Sequence, residues 1–124
     1  MIYLDTHVVV WLYLGDSSRF SATAQRAINE FSLKISPLVV LELTYLYEIG
    51  RLLVTADQIT EFLSNAVGLA LCDLPLQEII NAAVVQTWTR DPFDRLIVGH
   101  AACRNLPLVT KDKNILDNYL NAVW

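Results

Sequence analysis

Two kinds of hydrophobic patterning alternate along this chain. Short apolar runs of strand length, MIYLD at 1–5, LKIS at 33–36, GLALCDL at 68–74 and PLVT at 107–110, are separated by longer segments of helical character. SATAQRAINEF opens on Ser21, an N-cap residue, and continues in helix formers. PLVVLELTYLYEIG starts at Pro37, which suits a first helical position, and stops at Gly50, a good C-terminal cap. TADQITEFLSNAV carries the Thr55/Gln58 spacing of a capping box, and PLQEIINAAVVQTW is again opened by a proline. DPFDRLIVGHAACRN contains small residues, Gly99, Ala101 and Ala102, that permit close helix packing. THVVVWLYLG is too apolar to lie in solvent, and NAVW closes the sequence with a last short apolar piece. Strands alternating with helices predict an α/β fold, a mainly parallel sheet of four to five short strands with helices on both faces. In such sheets sites form beyond the carboxyl ends of strands, near the point where strand order reverses. Asp5 and Asp112 both fall just after a strand.

With 124 residues and no linker-like stretch, the expected organisation is one domain over 1–124. The composition, 54% hydrophobic against 18% charged, exceeds the usual apolar share and points to a covered sheet or a partner-binding face. No apolar run is long enough to cross a bilayer, and the N-terminal segment has neither the basic start nor the cleavage site of a signal peptide, so a cytoplasmic location is expected. Cys72 and Cys103 stand in no metal-ligand or C-x-x-C spacing and read as two small buried apolar residues. A net charge of −4 argues against broad nonspecific attraction to nucleic acid. The bases Arg90, Arg95, Arg104, Lys111 and Lys113 are interleaved with Asp91, Asp94 and Asp112 in one C-terminal stretch.

The carboxylates separate into ordinary and unusual positions. Asp5 precedes Thr6 and reads equally as a helix N-cap or as a chemical group. Glu42 sits among Leu38, Val39, Leu41, Leu43 and Leu46 in a helix that reads as buried, and an unpaired buried carboxylate needs a cation, a basic partner or a cleft. Asp91 before Pro92 is placed to cap a helix, which leaves Asp94 at the third helical position, where it favours the helix dipole or a reciprocal cap. Asp112 is a turn residue or the cap of KNILDNYL. Glu48, Asp57, Glu61, Glu78 and Asp117 are assigned to solvated faces.

Taken together, Asp5, Glu42, Asp94 and Asp112 are positioned to converge on one pocket. Two like charges about 4 Å apart repel by roughly 4 kcal/mol at an effective dielectric near 20, so convergence calls for a cation. Mg²⁺ prefers oxygen ligands, keeps several waters and takes one or two carboxylates directly. Such a site suits phosphodiester hydrolysis, because the cation acidifies water and stabilises charge developing on the phosphate. Without these four, nine acids balance nine bases, which locates the net charge in the proposed site.

The stretches YLDTHVVVWLYLGD, ISPLVVLELTYLYEIGRL, RDPFDRLIVGHA and LPLVTKD, in this order and at these separations, resemble the PIN-domain ribonucleases, and among them the VapC-type toxins of type II toxin–antitoxin modules. The resemblance runs over nearly the whole chain. It implies a three-layer α/β/α fold, Mg²⁺- or Mn²⁺-dependent endoribonuclease activity on RNA, homodimerisation, and inhibition by a VapB-type antitoxin that enters the active-site groove. By position it casts Asp5, Glu42 and Asp94 as the core acids, Asp112 as a more variable fourth acid, and Thr110 as a hydroxyl able to hold water or carboxylate, with Thr6 beside Asp5 in support. Many PIN domains have one aspartate at the late helix; here there are two, so Asp91 is either a further ligand or only the cap. Arg95 is a candidate for phosphate or for a structural salt bridge. His7 and His100 are not required as ligands.

Two readings compete. A receiver-like phosphoacceptor domain would need an acidic pair after the first strand, but Asp5 stands alone in LDTHV; a dehalogenase-type phosphatase would need a second Asp where His7 stands. A catalytically silent α/β interaction module would have lost one of the core acids, and none is missing.

Overall fold

The computed structural model describes residues 1–124. Five short strands, β1 (Ile2–Leu4), β2 (Leu33–Ile35), β3 (Ala70–Leu71), β4 (Leu108–Val109) and β5 (Ala122–Val123), form one sheet in the order β3-β2-β1-β4-β5, and every pairing is parallel. The helices are α1 (Thr6–Leu14), α2 (Ala22–Glu30), α3 (Pro37–Glu48), α4 (Ala56–Val67), α5 (Leu76–Val84), α6 (Pro92–Ala102) and α7 (Lys113–Asn118), with a 3₁₀ turn at Ser17–Arg19. They cover the sheet as a three-layer α/β/α sandwich. No helix is long and apolar enough to cross a membrane.

The chain runs outward from β1 through β2 to β3, then returns to build β4 and β5 on the other side. Strand order therefore reverses between β1 and β4, which is where a parallel sheet opens a crevice at its carboxyl edge. The register pairs Tyr3 with Leu108 and Leu4 with Val109, so Asp5 and Thr110 leave the sheet side by side. The Asp5 N–H still donates to the Val109 carbonyl at 3.0 Å, and the Thr110 N–H to that of Val123 at 3.1 Å.

Local sequence explains the elements that carry the site. THVVVWLYL, unassigned from pattern alone, is helical despite three successive β-branched valines, whose modest helix propensity is overridden by burial of Val8, Val9 and Val10 in the core. Asp5 stands at its N-cap, and Gly15 ends it in the left-handed conformation (φ 69°). The Thr55/Gln58 capping box at the start of α4 forms in full. α6 packs closely on α5, and a Cβ added at Gly99 would lie 3.1 Å from the Ile79 carbonyl oxygen.

Three expectations need correction. α3 is not buried all round: Val39, Leu43 and Leu46 face the core while Leu41, Tyr45 and Tyr47 are exposed, because an apolar sequence cannot distinguish a core face from a face awaiting a partner. Its cap position is Ile49, with Gly50 following at φ 80°. Cys72 is buried and accepts a hydrogen bond from the Tyr3 hydroxyl at 3.0 Å, but Cys103 is only half-buried, its thiol directed to the Glu78 carbonyl.

Candidate active site

One open pocket of about 370 Å³ gathers five carboxylates, Asp5, Glu42, Asp91, Asp94 and Asp112, with His7, Trp11 and Lys111. Four separate elements deliver the acids: Asp5 from the end of β1, Glu42 from the middle of α3, Asp91 and Asp94 from the start of α6, and Asp112 from the start of α7. Glu48, Asp57, Glu61, Glu78 and Asp117 are all exposed outside this pocket.

Asp5 is the most constrained. It is 8% exposed; Oδ1 accepts from the Thr6 N–H at 2.7 Å and Oδ2 from the Thr110 hydroxyl at 2.6 Å. The Thr110 oxygen in turn accepts the Asp112 N–H at 3.0 Å, so its single hydrogen is committed to Asp5. Each Asp5 oxygen keeps an outer lone pair. Burial pushes the Asp5 carboxyl up; the Thr110 and Thr6 hydrogen bonds and nearby His7 pull it back, and Asp112 adds to the rise. Asp5 also does not bond the N–H of the second or third helical residue, the donors a capping side chain usually takes.

Asp91 and Asp94 have divided roles. Asp91 Oδ1 accepts from the Phe93 N–H at 2.9 Å and the Asp94 N–H at 3.4 Å, so this residue caps α6. Asp94, one turn in and half-buried, accepts no hydrogen bond. Burial first, then the charges of Asp91, Asp5, Asp112 and Glu42, push its carboxyl up to about 7. Glu42 is shifted upward chiefly by burial, with Asp5 and Asp91 contributing. The Thr6 hydroxyl offsets part of that rise, yet it completes no hydrogen bond: Thr6 Oγ1 is the one buried side-chain polar atom without a partner. Asp112 caps α7 through the Ile115 N–H at 3.1 Å and is otherwise exposed to the pocket.

Arg95 belongs elsewhere. One residue past Asp94 the side chain is rotated by about 100° around the helix, and it donates to the Ala83 and Val84 carbonyls at 3.2 and 2.9 Å, closing the end of α5. It neither faces the pocket nor forms a salt bridge; the ion pairs are Arg19–Asp16 and Arg104–Glu78. Sequence reasoning missed Trp11 as a site residue, and it placed Lys111 only among the interleaved C-terminal bases. The signal available was LVTKD itself, which places a lysine between Thr110 and Asp112.

The donor set fits a hard divalent cation. All five acids offer oxygen, Glu42 and Asp94 have no protein donor properly bonded to them, and the orphaned Thr6 hydroxyl lies among them. No three side chains are close enough to form a coordination shell directly. Mg²⁺ keeps several waters and takes only one or two carboxylates directly, so three direct side-chain ligands are not required.

The fold has counterparts among solved structures. A toxin–antitoxin complex from Klebsiella pneumoniae contains a chain matching at TM-score 0.69 and 18% identity over 100% of this chain and 97% of that one. VapBC2 from Rickettsia felis, bound to a DNA fragment from its promoter, matches at 0.64 and 20% over 95% and 93%, and DNA-bound VapBC from Salmonella typhimurium at 0.64 and 16% over 98% and 96%. At these identities the likeness is one of fold. No curated protein sequence matches the chain. What the sheet reversal and the acids around it suggest is met by the sequence itself, which matches the PIN domain over residues 2–119, and the chain belongs to the PIN domain family.

Proposed function

We propose that this protein is a metal-dependent endoribonuclease that hydrolyses RNA phosphodiester bonds and acts as the VapC-type toxin of a toxin–antitoxin pair. The observation that carries the reading is the convergence of five carboxylates at the β1/β4 reversal, with Asp94 pushed up to about 7 by burial and then by its charged neighbours. PIN domains are generally nucleases, and the three solved structures described above are toxin–antitoxin assemblies.

Mg²⁺ or Mn²⁺ bound among Asp5, Glu42, Asp94 and Asp112 would supply Lewis acidity toward the phosphate and lower the pKa of water. Asp5, fixed by Thr6 and Thr110, is the rigid reference of the site and lines the pocket with acceptor capacity to spare. Asp94 and Glu42, not tied by hydrogen bonds, are free to accept a proton or hold water. Asp112 is oriented by its capping bond and by Thr110, and Asp91 mainly sets the pitch of α6.

Exposed apolar stripes suit the partners of such a toxin. Leu41 and Tyr45 on α3, and Leu76, Ile80 and Val84 on α5, recur at four-residue spacing and project to solvent. A VapB-type antitoxin and a second copy of the chain would cover them. The decisive assay is RNA cleavage with Mg²⁺, with EDTA, and by Asp5→Asn: cleavage is expected with Mg²⁺ alone. Cutting that persists in EDTA or in the variant overturns the metal-nuclease reading.

A further inference from the structure

Trp11 is a wall shared by two cavities. On one side lies the acidic pocket; on the other is a cleft of about 210 Å³ between α1, the 3₁₀ turn and α2, lined by Leu12, Phe20 and Ile28 together with the polar Ser17, Gln25 and Asn29. The wall is reinforced by edge-on contacts of Trp11 with Phe20 and Trp124, at centroid distances of 6.4 and 5.8 Å. Cations sit on it: Lys111 Nζ lies 5.9 Å from the Trp11 ring and 5.8 Å from Trp124, and the Arg19 guanidinium lies 5.6 Å from Trp11. Arg19 is already paired with Asp16, whereas Lys111 has no carboxylate partner and faces the acidic pocket. Aromatic faces interleaved with cations beside a phosphate-processing pocket are the makings of a single-strand binding lane.

The polar lining adds selectivity. Gln25 Nε2 donates to the Ser17 and Phe20 carbonyls, which fixes the amide and leaves its Oε1 unspent. The Asn29 amide makes no hydrogen bond, so a donor and an acceptor both remain free at the rim of the cleft.

Building on the nuclease reading above, we propose that this cleft and Lys111 form a nucleotide subsite next to the catalytic pocket. Lys111 neutralises a phosphate flanking the scissile one, and the adjoining base of single-stranded RNA enters the cleft against Trp11 and Phe20, with Gln25 and Asn29 at its edge. A base within a duplex is stacked and cannot enter a cleft between helices, so the subsite takes an unstacked base. An apolar protein side chain would fill the cleft but would use neither Lys111 nor the free amide. A nucleotide uses both.

The test separates binding from cutting. Single-stranded RNA is titrated by tryptophan fluorescence into Asp94→Asn protein with Mg²⁺, alone and combined with Lys111→Met or Asn29→Ala; both added changes are at exposed positions, and circular dichroism checks folding. Lys111→Met is expected to weaken binding about tenfold and to make the salt dependence shallower by about 0.7, the contribution of one phosphate on a single strand. Asn29→Ala is expected to change the preference among oligonucleotides of single base type while keeping the salt slope. Arg51→Ala serves as the control. Unchanged affinity and slope in Lys111→Met, or duplex bound as tightly as single strand, overturns the subsite. Unchanged RNA binding in both variants together with weakened binding of a protein partner assigns the cleft to that partner and also overturns it. RNA that binds as expected to wild-type protein but is never cut sinks the nuclease reading and leaves the subsite standing.

Discussion

The two halves of α6 are built on opposite principles. From Ile97 to Ala101 every residue is buried; burial keeps His100 neutral, and its Nδ1 bonds the Leu96 carbonyl at 2.9 Å, while Gly99 lets α5 come close. In the first turn, Asp94 sits half-buried without a hydrogen bond and is opposed by the charges of four other carboxylates. A satisfied, close-packed half holds in place a half that would relax if left alone. Stability and chemistry are divided along one helix, and violations of ordinary folding rules concentrate at the end that lines the pocket.

Variants can pull this division apart. The largest effect is expected at the acidic end: Asp94→Asn should lower Mg²⁺-dependent cleavage by about 10²–10³-fold, in the range of losing one preorganised electrostatic contact. Asp91→Asn, which preserves a capping acceptor, should stay within about tenfold of wild type. If Asp91→Asn abolishes cleavage at unchanged stability while Asp94→Asn remains active, their roles are reversed. At the packed end, Gly99→Ala should cost about 1–3 kcal/mol in urea unfolding, because the new methyl meets backbone of α5. Cleavage per folded molecule should not change.

The same acid also gives a pH dependence with a definite sign. The folded-state pKa of Asp94, about 7, lies above its ordinary value of 3.8, so the folded protein binds the proton more tightly than the unfolded chain does. This contribution is full below pH 4 and is lost as pH rises through about 7. In EDTA, wild-type stability measured relative to Asp94→Asn should therefore fall across that window and level off above it; a flat or rising difference would contradict the assignment. Mg²⁺ should restore stability at pH 8 in wild type more than in the variant.

How much of this was legible in the sequence depended on the range of the interaction. The capping box at Thr55, the cap at Asp91 and the small residues on α6 are local signals, and each forms as written. Most of the acids could be read because Asp5, Asp91, Asp94 and Asp112 follow a strand or stand in the cap or first turn of a helix, positions that an α/β fold brings to one edge, while Glu42, in the middle of α3, stood out as a carboxylate among leucines. Trp124 could not be read, since only the two-residue pairing of β5 with β4 carries it to Trp11 and Lys111. Arg95 misled because neighbours in sequence lie on different sides of a helix, and α3 misled because Leu41 and Tyr45 look like core until the fold leaves them outside.

The β1/β4 junction gives these observations a dynamic meaning. Asp5 and Thr110 are in contact because two short strands are laced together by bonds such as that from the Asp5 N–H to Val109. That ladder is also what joins the two halves of the sheet. Any fluctuation that unzips it dissolves the pocket and splits the sandwich in the same event, so the protection of the Asp5 amide against hydrogen exchange gauges how long the site stays assembled.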